Sequence, residues 1–152
     1  MSKTKGSKSE RELIHIFYDA GWAPLRVAGS GSTQLPAADI IAGKAGRVLA
    51  VECKSSGKEK IYIDKDQIRE LALFAQTFGA EAVIAVRFNR EAWRFLTIAQ
   101  LRDSGHSFVV DKQRALTVGK TFPELSRDSK KEITANQDGL VKIQNEEKQT
   151  FK

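Results

Sequence analysis

Apolar residues recur with two periods along the first 127 residues, and each period predicts a type of element. Spacings of three and four residues predict a helix over residues 9–20 and a second helix between an Asp64 cap and Gly79. Short apolar segments predict strands at residues 23–28, 39–43, 47–54, 61–63, 81–88 and 92–97, a weaker hairpin in 106–119 and a final helical turn in 122–126. This order predicts an α/β fold in which helices flank a central mixed β-sheet.

The two segments at 39–43 and 47–54 are separated by Gly-Lys-Ala-Gly and predict a hairpin. The second segment is apolar on both faces, which is typical of a central strand covered on each side. A Lys44-Ala45 loop would place Asp39 opposite Ala50 and diagonal to Glu52. A one-residue change of register would move Asp39 to the other face.

Under that register, Asp39, Glu52 and Lys54 project from one face of the hairpin. Two carboxylates beside an ammonium group suit a hard divalent cation and a phosphate, so these residues are candidates for a Mg²⁺ site that cleaves phosphodiesters. The alternative is a solvated strand end with no function. Carboxylates at the end of a buried strand favour the metal site, because they are costly unless they are paired or metal-bound.

Glu10 lies three, four and seven residues before Leu13, Ile14 and Phe17, on the predicted inner face of the first helix. It is a candidate third carboxylate of the site. The alternative is that Glu10 only stabilises the first turn through the helix dipole. Glu12 is rotated away and is expected to face solvent.

Composition limits the classes of protein that this chain can be. No apolar run of about 18 residues predicts a membrane helix and no leader segment is recognisable, so we expect a cytoplasmic, nucleoid-associated protein with no membrane partner. Cys53 is the single cysteine, which excludes an internal disulfide and a cysteine zinc cluster. We expect it to be a small buried side chain.

The net charge of +6 lies entirely in residues 1–127, because residues 128–152 hold five basic and five acidic residues. Residues 1–127 are therefore predicted to form one basic domain with a flexible basic arm at 1–7. Residues 128–152 contain only six residues from the set Ala, Val, Ile, Leu and Phe and predict a disordered tail.

Candidate DNA contacts lie in the arm, the first helix and a Gly-Ser loop. Basic side chains and loop hydroxyls can contact phosphates, although a solvated arm and a flexible connector are equally good interpretations. The candidates are Lys3, Lys5, Lys8, Arg11, Ser30 and Ser32.

Five ordered blocks resemble the archaeal Holliday-junction resolvases of the PD-(D/E)xK nuclease superfamily. They are KGSKSERE at 5–12, RVAGSGS at 26–32, PAADIIA at 36–42, VECKS at 51–55 and KIYI at 60–63. The resemblance covers roughly residues 5–125. Two alanines separate Pro36 from Asp39, where the superfamily label has an adjacent Pro-Asp.

The resemblance implies a restriction-endonuclease-like fold and a homodimer that cuts two opposed strands of a four-way DNA junction. It implies Mg²⁺, with Mn²⁺ as a substitute, held by Glu10, Asp39 and Glu52. Lys54 and a serine at Ser30 would complete the catalytic set, and Arg26 joins the DNA-binding candidates.

Three functions stay open from the sequence. The first is a junction-resolving endonuclease, the second a nuclease of this superfamily acting on other branched or linear DNA, and the third a non-catalytic DNA-binding subunit. A sliding clamp stays open as a partner, although no clear motif in the tail supports it. Phe88, Trp93 and Phe95 are the candidates for an apolar dimer surface.

Overall fold

The computed structural model describes residues 3–27, 34–127, 133–135 and 141–143, without the side chains of residues 3–5, 7 and those beyond 127. The helices are α1 (Lys3–Asp19), α2 (Lys65–Phe78), α3 (Lys112–Val118) and α4 (Phe122–Arg127), with a 3-10 turn at Ile98–Gln100. The strands are β1 (Ala23–Arg26), β2 (Ile40–Lys44), β3 (Arg47–Ser56), β4 (Lys60–Asp64), β5 (Glu81–Phe88), β6 (Arg94–Leu96), β7 (Arg102–Asp103), β8 (Ser107–Asp111), β9 (Ile133–Ala135) and β10 (Val141–Ile143).

A five-stranded mixed sheet forms the centre, in the order β1-β2-β3-β5-β6. β3 and β5 are parallel, and the other neighbours are antiparallel. A smaller antiparallel sheet, β4-β8-β7, forms a separate layer. The predicted α/β fold with a central mixed sheet is therefore confirmed.

Each face of the central sheet is covered by its own apolar cluster. On one face, Leu13 and Phe17 of α1 pack with Leu49 and Val51 of β3. On the other face, α2 and the smaller sheet pack against Ala50, Ile84 and Val86, and the α2 residues in this cluster are Ile68, Leu71 and Ala75. Because β3 alternates between the two clusters, it is the doubly covered central strand that the sequence predicts.

The hairpin register differs by two residues from the prediction. Lys44 pairs with Arg47, so the loop is Ala45-Gly46. A two-residue hairpin loop of type I′ needs positive φ at both of its residues. Ala45 has φ 49° and Gly46 has φ 80°, as this turn type requires. A shift of two residues keeps every side chain on its predicted face, and continuing the register places Asp39 opposite Glu52 rather than diagonal to it.

The first helix begins earlier than predicted. α1 starts at Lys3, so residues 3–7 of the expected flexible arm belong to the helix. Ser9, at the predicted helix start, is buried and bonds to Ser55 across the core instead of capping a helix end. The prediction of a flexible arm is therefore wrong for residues 3–7.

Residues 106–119 form a strand followed by a helix, and the predicted hairpin is wrong. β8 ends at Asp111, whose side chain accepts a hydrogen bond from the Arg114 backbone N–H at 2.8 Å and caps α3. Asp64 likewise ends a strand, β4, and precedes α2, but its side chain makes no capping bond.

The three aromatic residues proposed for the dimer surface belong to the core. Phe88, Trp93 and Phe95 are only 3%, 5% and 2% exposed. Among the residues whose side chains the structure describes, the large apolar residues that are exposed lie elsewhere: Tyr18, Leu25, Leu35, Tyr62, Leu73 and Phe78.

Most of the predicted disordered tail lies outside the described residues. Its two described segments, β9 and β10, pair antiparallel, so the prediction does not hold for those six residues. In the described part of the chain, every helix is too short or too polar to span a bilayer.

Candidate active site

Asp39 is fixed at the entrance to β2 by its own backbone and side chain. Its N–H donates to the Val51 carbonyl at 3.0 Å, and its carbonyl accepts the Val27 N–H at 2.9 Å. The carboxylate Oδ2 accepts the Cys53 N–H at 2.8 Å. These bonds hold the Asp39 carboxylate against β3, so the predicted approach of Asp39 to this strand occurs.

Glu52 and Lys54 stand on one face of β3, as the strand alternation requires. Glu52 is 8% exposed, and Lys54 Nζ lies 3.1 Å from its Oε1. Across the parallel ladder they adjoin Ile84 and Val86 of the apolar cluster under α2. Glu52 therefore lies at the edge of the apolar cluster under α2, with the Lys54 ammonium group beside it.

Burial controls the charge of this pair. Desolvation, together with the negative charge of Asp39, raises the pKa of Glu52 to about 7, although Lys54 opposes the shift. Burial also raises the pKa of Asp39, and the Cys53 N–H and Lys54 partly offset this. The site thus holds carboxylates whose negative charge is only partly compensated by the protein, which is an environment that stabilises a bound cation.

Cys53 points to the opposite face and packs, partly buried, against the cluster under α1, so the prediction of a small buried side chain is met only in part. Burial and the two neighbouring carboxylates hold the pKa of its thiol well above the ordinary value. Because the thiolate is the reactive and metal-binding form, Cys53 is unsuited to both roles.

Glu10 reaches the edge of this site from α1. Its carboxylate raises the pKa of Asp39, and its Oε2 accepts from Arg26 Nε at 2.5 Å. Within the described part of the chain, no three His, Cys, Asp or Glu side chains are gathered as for a metal ion. The structure therefore brings Asp39, Glu52 and Lys54 together and leaves Glu10 beside them, paired with Arg26.

The predicted DNA contacts are only partly described. Lys8 and Arg11 are exposed on α1. Lys3 and Lys5 lie on the first turns of the same helix, but their side chains are outside the described residues, as are Ser30 and Ser32. The side chain of Arg26 is 33% exposed and is bonded to Glu10.

Two buried hydroxyls were missed by the sequence analysis. Ser9 Oγ and Ser55 Oγ are 2.9 Å apart and join α1 to the end of β3. The alternation of β3 could have indicated that Ser55 faces inward with Val51 and Cys53, but nothing in the sequence indicated its partner. This bond fixes the turn of α1 that carries Glu10.

Glu12 was expected to face solvent, and it also joins two other elements. It accepts hydrogen bonds from Arg87 and from Trp93 Nε1. Arg87 also lies over the Trp93 ring, 5.2 Å from its centroid. The Glu12 side chain is still 39% exposed, so the prediction that it faces solvent holds in part. Its two partners were missed because β5 and the segment before β6 pack beside α1, which the helix periodicity could not reveal.

Sequence comparisons identify the family of this chain. The sequence model of the archaeal Holliday junction resolvase (hjc) family matches residues 1–133. The crossover junction endodeoxyribonuclease Hjc of Archaeoglobus fulgidus is 36% identical over 129 residues, covering 80% of this chain and 95% of the relative. The protein of the same name from Methanocaldococcus jannaschii is 39% identical over 109 residues, covering 72% and 77% of the two chains.

The fold comparison leads to the same family. A solved structure of Archaeoglobus fulgidus Hjc, described as a Holliday junction resolvase from an archaeal hyperthermophile, superposes with a TM-score of 0.75. It is 34% identical and covers 79% of this chain and 97% of its own. The restriction-endonuclease-like fold is therefore confirmed, and the chain belongs to the archaeal Holliday junction resolvase family of nucleases.

Proposed function

We propose that this chain is a structure-selective endodeoxyribonuclease that binds four-way DNA junctions as a homodimer and resolves them by paired incisions in opposed strands. The observation that carries the proposal is the desolvated pair Asp39 and Glu52 with Lys54 beside it. Family membership and the names of the curated relatives support the junction as substrate.

Mg²⁺ fits the donor set of this site. Carboxylate oxygens are its preferred protein ligands, and it commonly keeps several waters, so two carboxylates suffice. The raised pKa values of Asp39 and Glu52 reflect negative charge that a cation would compensate. Mn²⁺ prefers the same ligands and is proposed as a substitute.

The bound cation would supply Lewis-acid polarisation of the scissile phosphate and acidification of a water molecule. Asp39 and Glu52 would hold it, and Glu10 would complete the acidic group directly or through water. Lys54 would neutralise charge that develops on the phosphate in the transition state. Ser30, proposed as catalytic from the family resemblance, lies outside the described residues.

DNA affinity would come mainly from basic side chains around this site. Lys8 and Arg11 are exposed on the helix that carries Glu10, and they are proposed as phosphate contacts. Lys3, Lys5, Arg26 and Ser32 are proposed as further contacts from the sequence.

An exposed apolar surface on α2 supports the proposal of a homodimer. Leu73 and Phe78 are 54% and 55% exposed, and Phe74 stacks on Phe78 with ring centroids 5.4 Å apart. Two copies could bury these residues against each other about a two-fold axis.

Cleavage of three DNA substrates under matched salt tests the proposal. A four-way junction, a Y-fork and a linear duplex of equal length would be incubated with Mg²⁺, and the Asp39→Asn variant would control for contaminating nucleases. Rapid paired cuts in the junction alone are expected. Equal cutting of all three would favour a general nuclease, and binding without any cutting would favour a non-catalytic subunit.

A further inference from the structure

A cavity of about 280 Å³ lies at the carboxyl ends of β3 and β5, next to the acidic site. Ser56, Gly57 and residues 87–91 line most of it. Glu52, Lys54 and Ser56 alternate onto the same face of β3, and two residues of a strand span about 6.6 Å. The cavity therefore begins one strand repeat beyond Lys54, a spacing comparable with that of neighbouring phosphates on one DNA strand.

Most charges that line this cavity are already paired. Arg87 is bonded to Glu12, and Glu91 Oε1 lies 3.1 Å from Lys112 Nζ. Arg90 is exposed, and within the described chain it has no ion pair or hydrogen bond from its guanidinium. Arg90 is thus the uncompensated positive charge of the cavity.

Arg90 occupies a backbone position that favours glycine. The Glu91 N–H donates to the Phe88 carbonyl at 3.1 Å and closes a four-residue turn with Asn89 and Arg90 at its centre. Arg90 has φ 63°, and positive φ at this third position of a turn is typical of glycine. Strained positions of this kind cluster at binding sites, where the side chain rather than the backbone is needed.

The opposite wall of the cavity offers a donor and an open approach. Ser56 Oγ accepts the Lys58 N–H at 3.0 Å, so its own hydrogen remains for another acceptor. At Gly57, an added Cβ would meet nothing within 4 Å. A polyanion can therefore come close to this wall.

We propose that this cavity binds a backbone phosphate next to the scissile phosphate on the strand being cut. Arg90 donates charge-assisted hydrogen bonds to the phosphate oxygens, and Ser56 donates from the other side. The contact reads no base, so it fixes the position of the strand over Asp39 and Glu52 without sequence preference. This inference rests on the proposed nuclease function.

The test measures junction binding in EDTA as a function of salt for the wild type and three variants. Arg90→Gly and Arg90→Gln remove the charge, and Arg90→Lys keeps it. Loss of one phosphate contact lowers the log–log salt slope by about 0.9 for each engaged protomer. At 0.1 M salt this corresponds to an affinity roughly eightfold weaker per contact. Arg90→Lys should keep the wild-type slope.

Arg127→Ala is the matched control, because Arg127 is an exposed arginine on α4. Leu125 of the same helix binds Arg47 at the start of β3, about 30 Å from the cavity along the strand. This variant should bind junctions with the wild-type slope. Thermal melting without DNA separates folding from binding, and Arg90→Gly should melt no lower than wild type because glycine accepts the positive φ.

Wild-type slopes for Arg90→Gln and Arg90→Gly would overturn the phosphate site. The same slope loss in Arg127→Ala would also overturn it, because the effect would then be one of net charge. Failure of the underlying function looks different: the wild type itself would neither prefer nor cut the junction. The Arg90 variants therefore test the phosphate site, and the wild type tests the nuclease function, in the same experiment.

Discussion

At the scale of single residues, the environment of Glu52 has a consequence for stability. Its pKa is raised from 4.5 to about 7 by burial and by Asp39. Without metal, the folded state therefore binds more protons than the unfolded state between these two pH values. The contribution of Glu52 to stability therefore falls as pH rises through this window, by up to about 3 kcal/mol for a shift of this size.

We expect urea unfolding in EDTA to show this fall between pH 5 and pH 8, and Glu52→Gln to flatten it and to be more stable than wild type at pH 8. Saturating Mg²⁺ should stabilise the wild type more at pH 8 than at pH 6, because a cation competes with the proton. Asp103→Asn is the control, since the pKa of Asp103 is lowered by Lys65 and it titrates below this range. A wild type whose metal-free stability rises from pH 5 to pH 8 would contradict the assigned environment.

Asp39→Asn separates catalysis from folding and binding. An asparagine side-chain oxygen can still accept the Cys53 N–H, so the fold should remain. Cleavage should fall by at least about a hundredfold, as for other groups that stabilise a transition state. Junction binding in EDTA should change little, because affinity comes mainly from phosphate contacts elsewhere. Single-turnover cleavage and gel shifts measure the two effects, and a wild-type cutting rate would refute the site.

At the scale of elements, the bond between Ser9 and Ser55 links α1 to β3. Ser9→Ala leaves a buried hydroxyl without its partner, which should cost about 1–3 kcal/mol of unfolding free energy. The double variant Ser9→Ala/Ser55→Ala should recover part of this loss, because neither polar group is then left unpaired. A double-mutant cycle by urea unfolding checks the coupling, and strictly additive single effects would show that the bond contributes nothing.

The sequence predicted which helices and strands exist more accurately than the residues at which they begin and end. Apolar runs identified β3 and β5 because central strands have no polar face to confuse the pattern. The predicted hairpin loop was one residue too early, because Gly43 and Gly46 made Lys44-Ala45 the natural choice for the turn. Alanine has no preference for positive φ, so the sequence did not indicate that Ala45 adopts it. α3 was missed because its seven residues are too few to establish a helical period, and its Asp111 cap followed a strand directly.

The candidate site was predictable where one element or one hairpin determined it. Strand alternation placed Glu52 and Lys54 together, and a register error of two residues left Asp39 on the same face. Contacts between distant elements were not predictable: Ser9 with Ser55, Glu12 with Arg87, and Glu10 with Arg26. Such contacts depend on how α1 crosses the sheet, for which a single sequence contains no local signal.

At the scale of the whole molecule, the apolar surface of α2 predicts how two copies associate. In the proposed homodimer, Phe78→Asp should shift the protein to monomer, because a charge buried in an apolar interface is costly. Tyr18→Asp is the matched control, since Tyr18 is an exposed aromatic residue on α1, at 69% against 55% for Phe78. Light scattering after gel filtration measures the mass. A Phe78→Asp variant that remains dimeric would place the interface elsewhere.

The two-fold symmetry of a dimer is what would connect this fold to its substrate. Two copies related by such an axis present two Asp39–Glu52 sites, and a four-way junction has two opposed strands related in the same way. A linear duplex cannot engage both basic surfaces at once, so it loses one set of phosphate contacts.

Competition for binding between junction and duplex tests this account most directly. A labelled junction would be bound in EDTA by the Glu52→Gln variant, which is expected not to cut, and challenged with unlabelled junction or with duplex of equal length. We expect the junction to compete at least about tenfold better than the duplex, a difference of ~1.4 kcal/mol. Equal competition by the two DNAs would contradict it.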